Sequence, residues 1–457
     1  MLKLSITVSG LLLAFTLAAQ QQPVTLKQLL ESALQHNQSL EVSRYEQELT
    51  EQKIVQTRAK TLPSVTGSGN VADNFKRQVI VLPAGAFPSA DGSVSSSPTA
   101  LVAGTPYSSS LGVEASQPLF DMAAFTGLKA AQAGREYSRL STRQSEEEVI
   151  SQVAQSYYNI LASWETIRLQ DSTILNLQKL VTVSQGQYTN GLARKLDLDR
   201  LKVNLINAQS QRTQALNQLT TQTNQLKVLL GVPFETSLAL ANVAFEKLEQ
   251  QVANTALPEA FDVNNKTEIK LIDSQLRLSE LQRKATRAEN YPRLSAYLSY
   301  NYNVMTSQLS ETFTGSGNAI TYGMGSFGLR LSVPIFSGLD RYSRAKQNSI
   351  QIRQLEKQRE ASLLSANASF SNARIQMSNS LETLKSQNEN VKLATEVYAS
   401  SQSNYNLGIG SLTDLLDAQN SFTEAKNIYT RELLNYKLAE LETLRSTGTV
   451  RNLLNEN

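Results

Sequence analysis

The stretch "YNLGIGSLTDLLDAQ" (Tyr405–Gln419) interrupts a long helical pattern with two glycines and a serine that can cap the next helix. A weaker copy, "YTNGLARKLDLDRLK", stands at Tyr188–Lys202. A glycine just past a helix end can take the positive φ that other residues disfavour. We therefore expect Gly191 and Gly408 to end two long helices, each followed by a turn and a second helix.

Two further pairs of segments match in the same order. "RAKTLPSVTG" (Arg58–Gly67) matches "RAENYPRLSA" (Arg287–Ala296), and "SQPLFD" (Ser116–Asp121) matches "SVPIFS" (Ser332–Ser337). The offsets, in chain order, are 229, 216 and 217 residues. A period this long indicates a duplicated domain rather than a solenoid of short repeats. We predict a first structural repeat over 20–230, an inter-repeat segment over 231–262, a second repeat over 263–445 and a C-terminal tail over 446–457.

The segments beside these prolines alternate between apolar and polar residues, most clearly in Leu294–Asn303 and Ser326–Val333. Such alternation is typical of a sheet with one apolar and one polar face. We predict two strand hairpins, about 62–120 and about 291–337, giving four strands in the whole chain. The Gly, Pro and Ser content of Pro83–Gly104 indicates a loop. A soluble sandwich also alternates, but four strands cannot close a barrel, so strands in a membrane would have to be pooled from several chains.

Long segments without proline separate these elements. The apolar seam from Val149 to Tyr188 advances by close to 3.5 residues per step, as coiled-coil packing requires. Several seam positions hold Ser or Gln, which suits a helix that touches neighbours on two sides and water on a third. The segment from Leu339 to Tyr405 is the counterpart in the second repeat.

The composition excludes several classes of protein. A net charge of +3 gives no basic field for nucleic acid, and the chain contains no cysteine and one histidine, His36. No G-x-S-x-G, P-loop or H-E-x-x-H motif occurs. We therefore expect no enzyme activity, no cofactor, no metal site and no nucleic-acid partner.

The N-terminus has the pattern of a secretory signal. Lys3 precedes the apolar run "LLLAFTLAA" (Leu11–Ala19), which ends in small residues. We predict a signal peptide over 1–19, because this run is too short to cross a bilayer comfortably. No later stretch approaches 18 consecutive apolar residues, so we expect no transmembrane helix in the mature chain.

The signal peptide, the duplicated plan, the strand prolines and the Tyr-x-x-Gly-x₅-Asp turn together resemble the TolC-like outer-membrane efflux protein family. The resemblance covers nearly the whole mature chain. It implies a mixed α and β membrane protein that forms a homotrimer. Each chain would give four strands to a 12-stranded transmembrane β-barrel in outer-membrane lipid, and the helices would form a long antiparallel α-helical barrel. The segment 231–262 and the tail would form an equatorial belt.

The resemblance also implies a function. Such proteins lie in the bacterial outer membrane with a long periplasmic portion and act as passive exit ducts, energised by an inner-membrane pump through a periplasmic adaptor. The alternative is an extended coiled-coil envelope spacer or adhesin. That alternative explains the helices and the signal peptide, but it does not explain two strand hairpins inserted at matching points.

The resemblance assigns roles at the two tip turns, about 188–194 and about 405–411. Asp414 and Asp417, which share a helix face, would form the pore constriction. Asp414 has a second reading, since Ser411 and Asp414 have the spacing of a capping box. The tip latch would comprise Tyr405, Asp197, Arg194 and Lys195. The adaptor-contact surface would comprise Tyr188, Gly191, Leu192, Ala193, Gly408, Ile409 and Gly410.

One position departs from the family pattern. The family often places a basic residue two positions after the second turn glycine, where this chain has Gly410. Arg194 or Lys195 in the first turn could replace that residue, or both could simply belong to a solvated turn. The sequence leaves these two readings open.

Overall fold

The structure is a computed structural model that describes residues 24–86, 97–238, 252, 262–315 and 317–455. The predicted signal peptide and most of the predicted inter-repeat segment lie outside these residues. The chain divides into two compact units. The first comprises Met1–Tyr45, Leu140–Leu271 and Arg359–Asn457, and the second comprises Glu46–Arg139 and Ile272–Gln358.

Most described residues are helical. Two helices of 68 and 67 residues are each followed by a helix of 36 residues, which agrees with the proline-free segments of the sequence. Every long helix of the described chain is too polar to cross a lipid bilayer. The helices are α1 (Leu26–His36), α2 (Gln38–Ala59), α3 (Met122–Thr189), α4 (Lys195–Leu230), α5 (Thr267–Ala288), α6 (Glu311–Thr314), α7 (Asp340–Asn406) and α8 (Leu412–Thr447).

The second unit contains an antiparallel sheet with the strand order β1–β4–β5–β6. Its strands are β1 (Ser64–Asp73), β4 (Tyr107–Phe120), β5 (Arg293–Thr306) and β6 (Ile320–Ser332). These strands lie within the two predicted hairpin regions. In this sheet β1 and β6 are edge strands, so each has one side without a neighbouring strand.

The register of this sheet separates its two faces. Ala115, Leu298 and Phe327 lie opposite one another on one face, which is apolar. On the other face, which is polar, Glu114 lies opposite Ser299, and Ser299 lies opposite Ser326. The predicted alternation therefore describes this sheet correctly.

The prediction of only four strands is wrong. A separate antiparallel pair joins β2 (Gln78–Leu82) to β3 (Thr99–Ala103), with Ile80 opposite Leu101. The strand β3 therefore lies inside Pro83–Gly104, which the sequence predicted to be a loop. The short apolar run "TALVA" finds a partner in "QVIVL", and this pairing outweighs the loop-like composition of the residues between them.

The core of the first unit lies where α1, α3, α4, α7 and α8 pack together with a C-terminal 3₁₀ helix (Val450–Leu454). The α3 seam is buried or partly buried from Val149 to Ser184, as predicted, but Tyr188 at its end is 40% exposed. Fully buried members of this core include Leu30, Ile150, Ile160, Leu226, Leu433 and Tyr436.

Three consecutive glutamates of α3, Glu146–Glu148, bind three other segments. Arg451 of the 3₁₀ helix donates to Glu146 at 2.5 Å, and the Thr267 hydroxyl of α5 donates to Glu147 at 2.7 Å. Arg445 of α8 donates to Glu148 at 2.9 Å. The two arginine contacts attach the C-terminal segment to α3 by polar groups, in addition to its buried apolar residues.

Candidate functional site

The turn between α3 and α4 closes with a Schellman motif. The Gly191 N–H donates to the Tyr188 carbonyl at 3.0 Å, and the Leu192 N–H donates to the Gln187 carbonyl at 2.8 Å. Gly191 has a φ of 75°, where only glycine avoids a steric cost. The predicted left-handed glycine at this helix end is confirmed.

The turn between α7 and α8 closes in the same way. The Gly408 N–H donates to the Tyr405 carbonyl and the Ile409 N–H to the Asn404 carbonyl, both at 3.0 Å. Gly408 has a φ of 76°. The glycine prediction is confirmed here too, and the tyrosine occupies the same position of the motif in both turns.

Gly410 is constrained by space rather than by its backbone angles. Its N–H also donates to the Asn404 carbonyl, at 3.0 Å. A Cβ at Gly410 would lie 3.1 Å from the Cβ of Asn404 and 3.1 Å from the backbone nitrogen of Tyr405. A basic side chain at this position would therefore require the turn to shift.

Both turns expose large apolar side chains. Leu192 is 80% exposed and Ile409 is 76% exposed. Leu407, which the sequence did not single out, is 71% exposed. Its position directly before Gly408 could have predicted this exposure, since the last residue of a helix is seldom surrounded by the core.

Ser411 and Asp414 form the capping box that the sequence allowed. The Asp414 N–H donates to the Ser411 hydroxyl at 3.1 Å, and the Ser411 N–H donates to the Asp414 carboxylate at 3.4 Å. Asp414 thus stabilises the first turn of α8 while its side chain remains exposed.

Asp417 lies one helical turn further along α8, also on the exposed side. The opposite side of this helix buries Leu412, Leu415 and Gln419. Within the described residues of this single chain, Asp417 forms no hydrogen bond and no ion pair. Capping explains the position of Asp414, but it does not explain that of Asp417.

Asp197 in the first turn of α4 is bound by Arg194. The Arg194 Nε and Nη2 donate to its two carboxylate oxygens at 3.0 and 3.3 Å. Tyr405 is half-buried against the apolar cluster of Leu177, Leu201 and Leu412. Burial, and secondarily the negative charge of Asp197, raise the pKa of the Tyr405 phenol.

The four predicted latch residues therefore differ in their contacts. Tyr405 and Asp197 are close enough to interact electrostatically, although no hydrogen bond joins them within the described chain. Lys195 is exposed and has no ion-pair partner among the described residues. A contact that the sequence did not predict joins the two helices that follow the turns, because Arg200 of α4 donates to the Thr413 hydroxyl of α8 at 3.1 Å.

The sequence model of a family described as "Outer membrane efflux protein" matches residues 29–232 and 264–449. The chain belongs to this family. Outer membrane efflux proteins are TolC-like transport proteins, and this one lies in the bacterial outer membrane with a long periplasmic portion.

Individual relatives are distant but cover much of the chain. The outer membrane protein TolC of Escherichia coli strain K12 is 21% identical over 350 residues, which is 75% of this chain and 69% of that protein. The probable efflux pump outer membrane protein TtgC of Pseudomonas putida KT2440 is 22% identical over 432 residues, 93% of this chain and 82% of that protein.

A solved structure of CusC has the same fold. It superposes with a TM-score of 0.71 at 19% identity, over 93% of this chain and 92% of CusC. The described helices and strands thus form the architecture of an outer membrane efflux channel.

Proposed function

We propose that this outer membrane efflux protein is the passive exit duct of a tripartite efflux or secretion system. Three copies would assemble, an inner-membrane pump would supply the energy, and a periplasmic adaptor would connect pump and duct. The chain itself would catalyse no reaction. Its gate would lie at the two glycine turns, at the periplasmic tip.

The sheet supports assembly from several chains. Its apolar face exposes Leu298, Phe327 and Leu329 by 60% or more, which is costly in water but favourable in lipid. The free edges of β1 and β6 carry unpaired backbone groups that a bilayer does not tolerate. Pairing β6 of one copy with β1 of the next, three times over, would give a closed 12-stranded barrel.

Asp417 is the observation that carries the gate proposal. Its carboxylate is exposed and without a partner in the described chain, on the face of α8 opposite its apolar contacts, and this supports a position facing a lumen shared with other copies. With Asp414 on the same side, a trimer would present two stacked rings of carboxylates. Such rings favour cations and bind polyvalent ones.

The test is ion selectivity in a planar bilayer. Asp417→Asn should reduce the preference for cations and weaken block by trivalent cations, because one ring loses its charge. Asp199→Asn, which removes an exposed carboxylate of α4, is the matched control and should leave both properties unchanged. Unaltered selectivity in the Asp417 variant would place the residue outside the pore, and no conductance in any variant would favour an envelope spacer.

We propose that Tyr405 and Asp197 contribute to the latch that keeps the tip shut. In one chain Asp197 is bound by Arg194, so a bond from Tyr405 would require the carboxylate to share its oxygens or to rotate. A shielded phenol–carboxylate bond contributes on the order of 1.5–3 kcal/mol, which adaptor binding could offset.

Tyr405→Phe should therefore raise basal conductance, with Tyr188→Phe as its control in the other turn. Equal or lower conductance would exclude the latch.

Arg194 is the better candidate for the basic part of this latch, since it already contacts Asp197, whereas Lys195 does not. Arg194→Gln should raise basal conductance more than Lys195→Gln. Equal effects of the two variants would indicate a solvated turn without a latch role for either residue.

The exposed apolar side chains of the turns support an adaptor-contact surface. Leu192 and Ile409 occupy the same position of the two Schellman motifs, next to Gly191 and Gly408. Leu192→Asp combined with Ile409→Asp should weaken capture of the periplasmic adaptor while conductance in a bilayer persists. Retained capture would put the adaptor elsewhere.

A further inference from the structure

The second unit contains a cleft of about 540 Å³ between the end of α5, the connection from β6 to α7, and the first turns of α7. Three cations line it: Arg287, Arg341 and Lys346. No Asp or Glu is among the lining residues. The remaining walls are mostly apolar or aromatic and include Ile335, Phe336 and Tyr342.

The carboxylates nearest in sequence, Glu289 and Asp340, already share Arg344 as their partner. Arg344 donates to both oxygens of Glu289 and, at 2.9 Å, to Asp340. Within the described residues, the side chains of Arg287 and Lys346 form no hydrogen bond and no ion pair. Arg341 contacts only neutral oxygens, the Glu289 carbonyl at 3.3 Å and the Asn290 amide oxygen at 3.1 Å. The cleft therefore has uncompensated positive charge.

An apolar row leads from the sheet into this cleft. Every second residue from Phe327 through Leu329, Leu331 and Val333 to Ile335 is apolar, and each is more than half exposed. The first three belong to β6, and Ile335 lines the cleft. Phe336 beside it is 80% exposed. The apolar surface of the sheet thus ends directly at the cationic cleft.

The backbone at this corner is held in a costly conformation. Leu339 has a φ of 68°, and it is the one described residue other than glycine with a positive φ. A left-handed conformation costs roughly 1–2 kcal/mol for such a residue. Its side chain, 65% exposed, lines the cleft together with Ile335 and Phe336. A strained corner that keeps apolar side chains in solvent is better explained by an occupant than by the stability of the isolated chain.

We propose that this cleft binds the phosphate headgroup of an anionic glycerophospholipid of the membrane in which the protein lies. Arg287, Arg341 and Lys346 would hold the phosphate, and the acyl chains would lie along the apolar row of β6. Cations beside an apolar, aromatic surface match both parts of such a lipid. The proposal depends on the outer-membrane location and not on the gate, so the conductance tests above can fail without affecting it.

The experiment measures thermal unfolding of the full chain in non-ionic detergent. Added phosphatidylglycerol should raise Tm by about 3 °C, and phosphatidylcholine at the same concentration should not. The variant Arg287→Gln with Lys346→Gln should lose at least half of this shift. The control variant, Lys284→Gln with Arg353→Gln, removes two exposed cations outside the cleft and should keep it.

Four results would overturn the proposal. Equal shifts with both lipids would show that the cleft does not select an anionic lipid. A full phosphatidylglycerol shift in the cleft variant would show that its cations do not bind the headgroup. An equal shift with inorganic phosphate alone would show that the lipid is not the source of the anion. A changed number of chains per particle in the cleft variant, with the lipid response intact, would make the cleft an interface between copies. Circular dichroism checks that each variant is folded.

Discussion

At the scale of single residues, the two glycine turns are the most constrained points of the candidate gate. Gly191 and Gly408 have almost the same φ, and in each turn the following apolar residue donates to a carbonyl five residues earlier. The shared geometry follows from a local rule, because a helix that ends in a left-handed residue satisfies two carbonyls at once. This rule does not fix the residues after the apolar one, and the two turns differ there: Ala193 and Arg194 follow in the first turn, and Gly410 and Ser411 follow in the second.

Gly408→Ala should loosen the second turn without any steric clash. No atom outside the adjacent residues lies within 4 Å of a Cβ built at this position, so the cost is the left-handed backbone alone, about 1 kcal/mol. Amide hydrogen exchange at 407–410 should therefore accelerate about fivefold. Gly186→Ala is the matched control, since Gly186 also has open space around it but lies inside α3. That variant should leave exchange unchanged or slow it, and similar acceleration in both would contradict the argument.

Tyr405 should make the first unit sensitive to alkaline pH. Its pKa lies above the ordinary value of 10.0 because the phenol is partly buried and Asp197 is near. The folded chain therefore keeps this proton to a higher pH than the unfolded chain. The contribution of the protonated phenol to the free energy of unfolding is complete below about pH 10, and it is lost as the pH rises through the folded pKa. Thermal unfolding from pH 8 to 11 should show a steeper loss for the native protein than for Tyr405→Phe. Parallel curves would show that the phenol does not couple to folding.

At the scale of elements, α8 has two distinct sides. One side packs Leu412, Leu416 and Leu433 into the apolar clusters of the first unit, and the other exposes Asp414 and Asp417 near its start. The helix needs the first side for folding, whereas neither packing nor capping accounts for the position of Asp417. The C-terminal 3₁₀ helix differs from α8, since its described contacts are all with the core and α3 of the first unit and serve folding.

Leu453→Ala should detach that 3₁₀ helix from the core. Leu453 is 3% exposed in the main cluster, and truncating a buried leucine costs about 2–5 kcal/mol. We expect faster hydrogen exchange over 450–455 and faster cleavage there by a nonspecific protease. Asn452→Ala changes its exposed neighbour and should have little effect. Unchanged exchange in the Leu453 variant would show that the glutamate contacts of α3 hold the segment by themselves.

At the scale of the whole molecule, the repeat predicts how copies would join. Ser116 of β4 lies opposite Tyr297 of β5 within one chain. In the repeat, β6 corresponds to β4 at an offset of 216 residues, and β5 corresponds to β1 at an offset of 229 residues. Ser332 therefore corresponds to Ser116, and Ser68 corresponds to Tyr297. The equivalent pair between copies is Ser332 of one copy opposite Ser68 of the next. Both serines lie on the polar face of their strands, as a true pair requires.

The double variant Ser68→Cys with Ser332→Cys should therefore form disulfides between copies. Opposite residues on neighbouring strands lie about 4.5–5.5 Å apart, within the reach of a disulfide, and the chain has no native cysteine to interfere. Non-reducing electrophoresis should show a covalent trimer. Ser68→Cys with Leu331→Cys places the second thiol on the other face and should give no such band. A covalent dimer as the end product, or equal cross-linking in both variants, would contradict the proposed ring of three.

The sequence by itself determined the features that depend on near neighbours in the chain: the two glycine turns, the Ser411 capping box, the alternating strands and the long helices. It also predicted the family, because the order of these features is specific even where each is weak. It missed β2 and β3, since a five-residue apolar run becomes a strand only when a distant run pairs with it.

Only the tertiary structure decided which charges are satisfied. Glu146 and Glu148 lie two residues apart in α3, yet one binds Arg451 and the other binds Arg445. Arg344 binds both Glu289 and Asp340, while the side chains of Arg287 and Lys346 have no partner among the described residues, and the spacing of these residues in the sequence does not predict this. The physical reason is that an ion pair depends on a separation of a few ångströms between side chains, which the packing of distant segments sets.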